Sequence, residues 1–347
     1  MIRPGARNLI TDVPGIAVGN AEDHTVRTGV TVVLPETPVV AAIDVRGGAP
    51  GTRESDALDP RCLVDRIDAI ALSGGSSFGL DAAGGVMSWL HQRGRGFKIR
   101  ETVVPIVPSA ILFDLENGGD KNWGEDAPYR ALGRIATDAA GHTFTLGNAG
   151  AGLGARAGRL KGGLGSASFL YRPAEGTEGD AGFTVGALVA VNCIGSVVMP
   201  ETATFWAWAL EQDGEFGGQP PPQHVLSADR LDFPFDSPRG ANTTLAVVAT
   251  DAALSKAEAG RVAIMAHDGF ARAIRPVHTP FDGDSVFVLS TGQKPLANPA
   301  ADIGRIGMLA ADCVARAVAR GVFEAETLDN LPSYRAIYGE TVRLKNT

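Results

Sequence analysis

Six short runs of apolar, largely β-branched residues recur along this 347-residue chain and limit what it can become: 28–34 (TGVTVVL), 39–45 (VVAAIDV), 68–73 (DAIALS), 184–191 (TVGALVAV), 245–250 (LAVVAT) and 285–291 (SVFVLST). They are too short for helices and close to continuously apolar, which predicts buried strands. Helical periodicity is rarer. One helix is predicted from Ser255, where Ser255 and Glu258 form a capping box, through Val262, Met265, Ala266, Phe270 and Ile274, ending before Pro276. Others are expected over 80–91 and 303–318, the last with Cys313 as a core thiol. Strands and helices cluster instead of alternating, so an α/β fold of layered sheets with helices outside is expected.

Composition narrows the function. Glycine supplies 44 of 347 residues, against an average share of roughly 7%, without a Gly-X-Y period, so much backbone must turn tightly or pack closely. A formal net charge of −8 disfavours nucleic acid and anionic membranes as partners. Cys62, Cys193 and Cys313 are odd in number and widely spaced, which predicts neither disulfides nor a thiolate metal site. The first 16 residues hold no apolar signal-like stretch, and the longest oily run, 185–199, is interrupted by Asn192. A cytoplasmic protein is expected. The histidines form no H-E-x-x-H or other short-spaced pair, and neither metal nor cofactor is predicted. His267 reads as a partly buried helix residue and His278 as packing under a loop.

Four stretches compete for chemistry. Gly75-Ser76-Ser77-Phe78-Gly79 fits G-x-S-x-G after a strand and would make Ser77 an esterase nucleophile, although no histidine stands in a context that marks it as the base. Residues 147–158 (GNAGAGLGARAG) resemble a nucleotide-binding glycine run, but a closely packed backbone element accounts for them as well. Residues 211–240, crowded with Pro, Gly and Asp, read as a linker or a breakable segment. Directly after it, Gly240-Ala241-Asn242-Thr243-Thr244 heads a buried strand, and Asp282-Gly283-Asp284 heads another; taken alone, the latter reads as a hairpin turn. Cleavage before Thr243 would join a hydroxyl nucleophile to an α-amine base that ordinarily titrates at about 7.7 to 8.0. The paired carboxylates could then position the amine, and Asn192 could donate to an oxyanion.

These residues resemble the self-processing N-terminal-nucleophile hydrolases that include D-aminopeptidase/D-esterase, β-peptidyl aminopeptidases and the nylon-oligomer hydrolase. The likeness runs from about residue 3 to 291 through PGARNLITDVPGIAVGNA, LSGGSSFGLDAAGGVMSWL, ILFDL, KGGLGSAS, RGANTTLAVVATDAALSK, MAHDGFARAI and HTPFDGDSVFVLSTG. The resemblance implies a four-layer α/β/β/α sandwich made by one autocleaved precursor, with residues 1–242 and 243–347 as its two chains. It implies Thr243 as nucleophile, Asn192 at the oxyanion, Asp282 and Asp284 as the acidic pair, and scission between Asn242 and Thr243. A basic site residue matches Arg159 or Lys161, with Lys161 retained. Thr243 with two aspartates looks nearer the nylon-hydrolase branch, without fixing the substrate. The expected activity is hydrolysis of a small peptide or amide through an acyl-enzyme, by a homotetramer. The alternatives are a Ser77 esterase, a processed acyltransferase of related fold, and a nucleotide-binding protein using 147–158.

Overall fold

A computed structural model of the protein describes residues 1–174, 181–219, 221–222 and 242–343. One sheet has six strands in the order β1 (Ile2–Pro4), β12 (Gly163–Tyr171), β13 (Phe183–Val191), β14 (Leu245–Ala252), β15 (Ser285–Lys294) and β4 (Val40–Val45). A second has five: β2 (Ile16–Asp23), β3 (Thr28–Pro35), β6 (Ile70–Ser73), β9 (Ser109–Ile111) and β5 (Thr52–Arg53). Among the described residues, two ribbons complete the strands, β7 (Phe97–Ile99) with β8 (Thr102–Val104), and β10 (Arg156–Ala157) with β11 (Leu160–Lys161).

The strands are apolar on both faces because the sheets lie between helices. In β14, Leu245, Val247 and Ala249 join a core shared with Val33, Ile70 and Leu72 of the other sheet. Ala246 and Val248 point the opposite way, into a core with α3 (Lys256–Ala273) and α4 (Pro299–Phe323). Val30 and Val32 of β3 face a third core with α1 (Ala82–Gln92) and α2 (Tyr129–Asp138). Three apolar layers separate four layers of structure, so the chain is an α/β/β/α sandwich. A fifth helix, α5 (Tyr334–Arg343), buries Tyr334 against Phe205 and Phe323.

The predicted helices are present with shifted bounds. Ser255 caps α3 and Glu258 returns a bond to the Ser255 amide, as the capping box requires. The expected 80–91 helix begins later, because residues Ser76–Asp81 form a 3-10 turn first. Cys313 is fully buried, and burial pushes its thiol up to about 12. Among the described residues, no helix is long and apolar enough to cross a membrane. Much of the breakable 211–240 segment lies outside the described residues, but 211–219 is firmly tied. Glu211 accepts the amides of Phe216, Gly218 and Gln219, and Glu215 pairs with buried Arg316.

Candidate active site

Strand direction brings the site together. β14 and β15 run parallel, with Leu245 beside Ser285, so their leading residues meet at one end of the sheet although they are some forty positions apart in sequence. Asn242 bridges Asp282 there in the same parallel sense. Asp282-Gly283-Asp284 is therefore not the hairpin turn its composition suggests, since a hairpin joins antiparallel strands. β13 is antiparallel to β14 with Ala190 opposite Leu245, and the same register carried two residues further sets Asn192 opposite Thr243. Lys161 precedes β12 at this same end, because Gly163 pairs with Val191.

At the centre lies the Asn242–Thr243 peptide. The Thr243 amide donates to the Asn192 backbone oxygen at 2.6 Å. The Asn242 carbonyl oxygen accepts from the Thr243 hydroxyl at 2.6 Å and from the Gly283 amide at 3.1 Å. A hydroxyl, a hydrogen-bonded carbonyl and a fixed backbone donor are thus in one place, the groups that acyl transfer requires. Thr243 is 3% exposed and Asn242 7%.

The two aspartates are buried and individually held. Asp282 accepts the Thr279 amide at 2.9 Å and hydroxyl at 2.6 Å, and the Ile194 amide at 3.4 Å. Burial, and then the neighbouring Asp284 charge, push its pKa up. Asp284 accepts the Thr244 amide at 2.8 Å through Oδ1, and through Oδ2 both the His278 amide at 3.1 Å and its ring Nδ1 at 2.8 Å. His278 therefore does not merely pack beneath a loop. Residues six positions apart on a regular helix or strand are out of bonding reach, so spacing alone could not reveal this bond.

Asn192 donates its side-chain amide to Phe113 O at 3.1 Å and accepts the Arg156 amide at 2.9 Å. Lys161 is fully buried, its ammonium donating to Gly152 O at 2.8 Å and Gly162 O at 2.9 Å. Burial pulls its pKa down to about 7, opposed by the charge of Asp114. Asp114, itself buried, is pushed up to about 6 while holding the Thr28 hydroxyl and Gly75 amide. A cleft of about 520 Å³ opens beside these groups, lined by Asn192 and Asn242 with Phe113, Arg159 and Pro332 among others. Arg159 is exposed at the cleft, whereas Lys161 lies behind it, its amide donating to Pro332 O at 2.8 Å.

The competing motifs have structural explanations. Ser77 is exposed, and none of the described histidines hydrogen-bonds it. The 147–158 run packs tightly between elements: Gly147 exchanges backbone bonds with Leu164, and Gly152 supplies a carbonyl to Lys161.

Comparison with known proteins agrees with this architecture. The description "Peptidase family S58" matches residues 8–334. An uncharacterized aminopeptidase of Mycobacterium bovis is 46% identical, covering 95% of this chain and 98% of its own length. A 6-aminohexanoate-oligomer endohydrolase of Kocuria is 29% identical over 88% of this chain and 81% of its own. The L-aminopeptidase D-Ala-esterase/amidase of Ochrobactrum anthropi, described as a variant of the Ntn hydrolase fold, superposes with a TM-score of 0.72 at 22% identity, covering 99% of this chain and 96% of that one. A Burkholderia β-aminopeptidase gives 0.65 at 24% identity, over 94% and 89%. The chain belongs to peptidase family S58 and is, with that family, a hydrolase of amide bonds.

Proposed function

We propose that the protein is an autoprocessing N-terminal-threonine hydrolase acting on a peptide or other short linear amide. The observation that carries this reading is the Asn242 carbonyl oxygen, held between the Thr243 hydroxyl and the Gly283 amide. Thr243 Oγ attacks the Asn242 carbonyl carbon, and the C–N bond breaks as its nitrogen takes a proton, leaving an ester. Water hydrolyses the ester to an Asn242 carboxylate and a free threonine. Chains 1–242 and 243–347 result, and the new α-amine remains near the Asn192 oxygen that now accepts the Thr243 amide.

In turnover the amine serves as base for its own hydroxyl, which forms an acyl-enzyme, releases the substrate amine and is freed by water. Asp282 and Asp284 orient the α-amine, the Asn192 side-chain amide stabilises the oxyanion, and Lys161 carries protons behind the cleft. The names of the relatives, an aminopeptidase and an oligoamide endohydrolase, support an amide substrate. The cysteines, all free, support a reducing cytoplasm, and a homotetramer is the assembly that size-exclusion with light scattering should find.

Intact-mass analysis tests the reading. Two masses summing to the precursor plus one water, with threonine leading the smaller, are expected, while Thr243→Ala stays whole and inactive. A single uncut chain that still hydrolyses amides, or an active Thr243→Ala, overturns it.

A further inference from the structure

We propose that His278 is a positioning residue for the Thr243 reaction, fixing the Asp284 carboxylate against the head of β14; this rests on the Thr243 reading above. Asp284 is 1% exposed, so both its oxygens need donors from the protein. One takes the Thr244 amide, from the residue next to the nucleophile. The other takes two bonds from the single residue His278. The ring Nδ1 lies 2.8 Å from this oxygen, and the tautomer with its proton on Nδ1 donates to it.

Two further features show that this arrangement is built. His278 has φ +56°, a left-handed backbone that turns its amide and its ring toward the same oxygen. Its ring plane is fixed by edge contacts with His267, 4.8 Å between centroids, and Phe270, 6.1 Å, both buried on α3. His267 is itself anchored, its Nε2 bonding Asp44 O at 3.0 Å. Burial pulls the His267 pKa down to about 4, which favours the neutral ring near pH 7. The charged groups around His278 are Asp284, Asp282 beside it, and Asp44 and Arg46 at the end of β4 beyond His267. Without the ring donor, this buried Asp284 oxygen would keep only the His278 amide at 3.1 Å and lose its shorter bond, leaving the carboxylate freer to turn away from the Thr244 amide and from the nucleophile it helps align.

The pair His278→Asn and His278→Asp tests this, since both side chains tolerate left-handed backbone and match in shape, but only asparagine donates from the Nδ1 position. Processing, kcat and KM on an amino-acid p-nitroanilide, and thermal unfolding are measured for each. The Asn variant should keep kcat within about fivefold of wild type, while the Asp variant loses roughly 10²-fold in kcat and processing rate with KM little changed. Should the Asp variant not fold, His278→Ala takes its place, neutral and without a donor, with the same loss expected. Equal behaviour of the donor and non-donor variants, whether both active or both impaired, overturns the proposal. Thr243→Ala run in parallel separates the two readings. An active Thr243→Ala refutes the threonine mechanism itself, whereas an inactive one beside indistinguishable His278 variants refutes only the positioning role.

Discussion

On the proposed mechanism, replacing Gly283 by alanine should stop the chain from processing itself. An ideal Cβ at this position lies 2.5 Å from Thr243 Oγ and 2.7 Å from the Ala49 backbone oxygen, where ordinary contact begins near 3.4 Å. The methyl is trapped between the two, because the Ala49 amide is bonded to Asp282 O at 2.8 Å, which holds the bend between β4 and β5 against retreat. Relief must come from Thr243, whose hydroxyl has to move by about 0.9 Å or leave its rotamer. A misplacement of roughly 1 Å can cost about 10²-fold in rate. The amide of residue 283 would survive, so the loss reports hydroxyl placement and not the missing donor. Precursor and products are followed by intact mass during expression, and thermal unfolding confirms the fold. If Gly283→Ala processes and turns over at wild-type rates, the crowding around the Thr243 hydroxyl has no catalytic meaning, and the geometry assigned to that carbonyl is wrong.

Asn192→Ala should lower kcat by roughly 10²- to 10³-fold, as loss of one oxyanion donor does, while the Thr243 amide keeps its backbone partner. Ser77→Ala should change neither processing nor turnover; a dead Ser77 variant with an intact chain would favour the esterase. Lys161→Met tests its depressed pKa: the folded value of about 7 lies below the ordinary 10.5, so the unfolded chain binds more protons between them, and the residue's contribution to stability rises with pH across that window. Urea midpoints should show wild type gaining on Lys161→Met from pH 7 to pH 10, and parallel midpoints would contradict the shift. Glu215→Ala strands the fully buried Arg316 guanidinium and should destabilise by about 3–5 kcal/mol in urea unfolding; a loss under 1 kcal/mol would show the pair idle.

The sequence revealed the parts of the fold whose side chains do their own packing. Runs such as LAVVAT announce a strand because every residue meets a core, one face toward the second sheet and the other toward helices. β12, GLGSASFLY, was not legible, since its neighbours demand small residues instead of oily ones. A Cβ on Gly165 would fall 1.9 Å from the Ala317 backbone oxygen and one on Gly163 2.2 Å from that of Gly321, so α4 lies directly on the strand. β2 was missed for a similar reason, with Gly19 pressed against the Ala136 oxygen of α2. At the site, Thr243 and Asp282 could be noticed as strand leaders, but only the parallel pairing of β14 with β15 brings them together. The His278 bond depends on one left-handed residue in a loop, a conformation that a histidine does not advertise.

The six-stranded sheet carries a consequence for what scission would leave behind. β14 and β15 sit inside it, flanked by β13 on one side and β4 on the other. The piece beginning at Thr243 would therefore hold interior rungs of a ladder whose outer rungs belong to the other piece. Such fragments are interleaved, not docked: neither owns a complete hydrophobic interior, and cutting the covalent link would release no subunit. Maturation would change the chemistry of one nitrogen while leaving the architecture as it was.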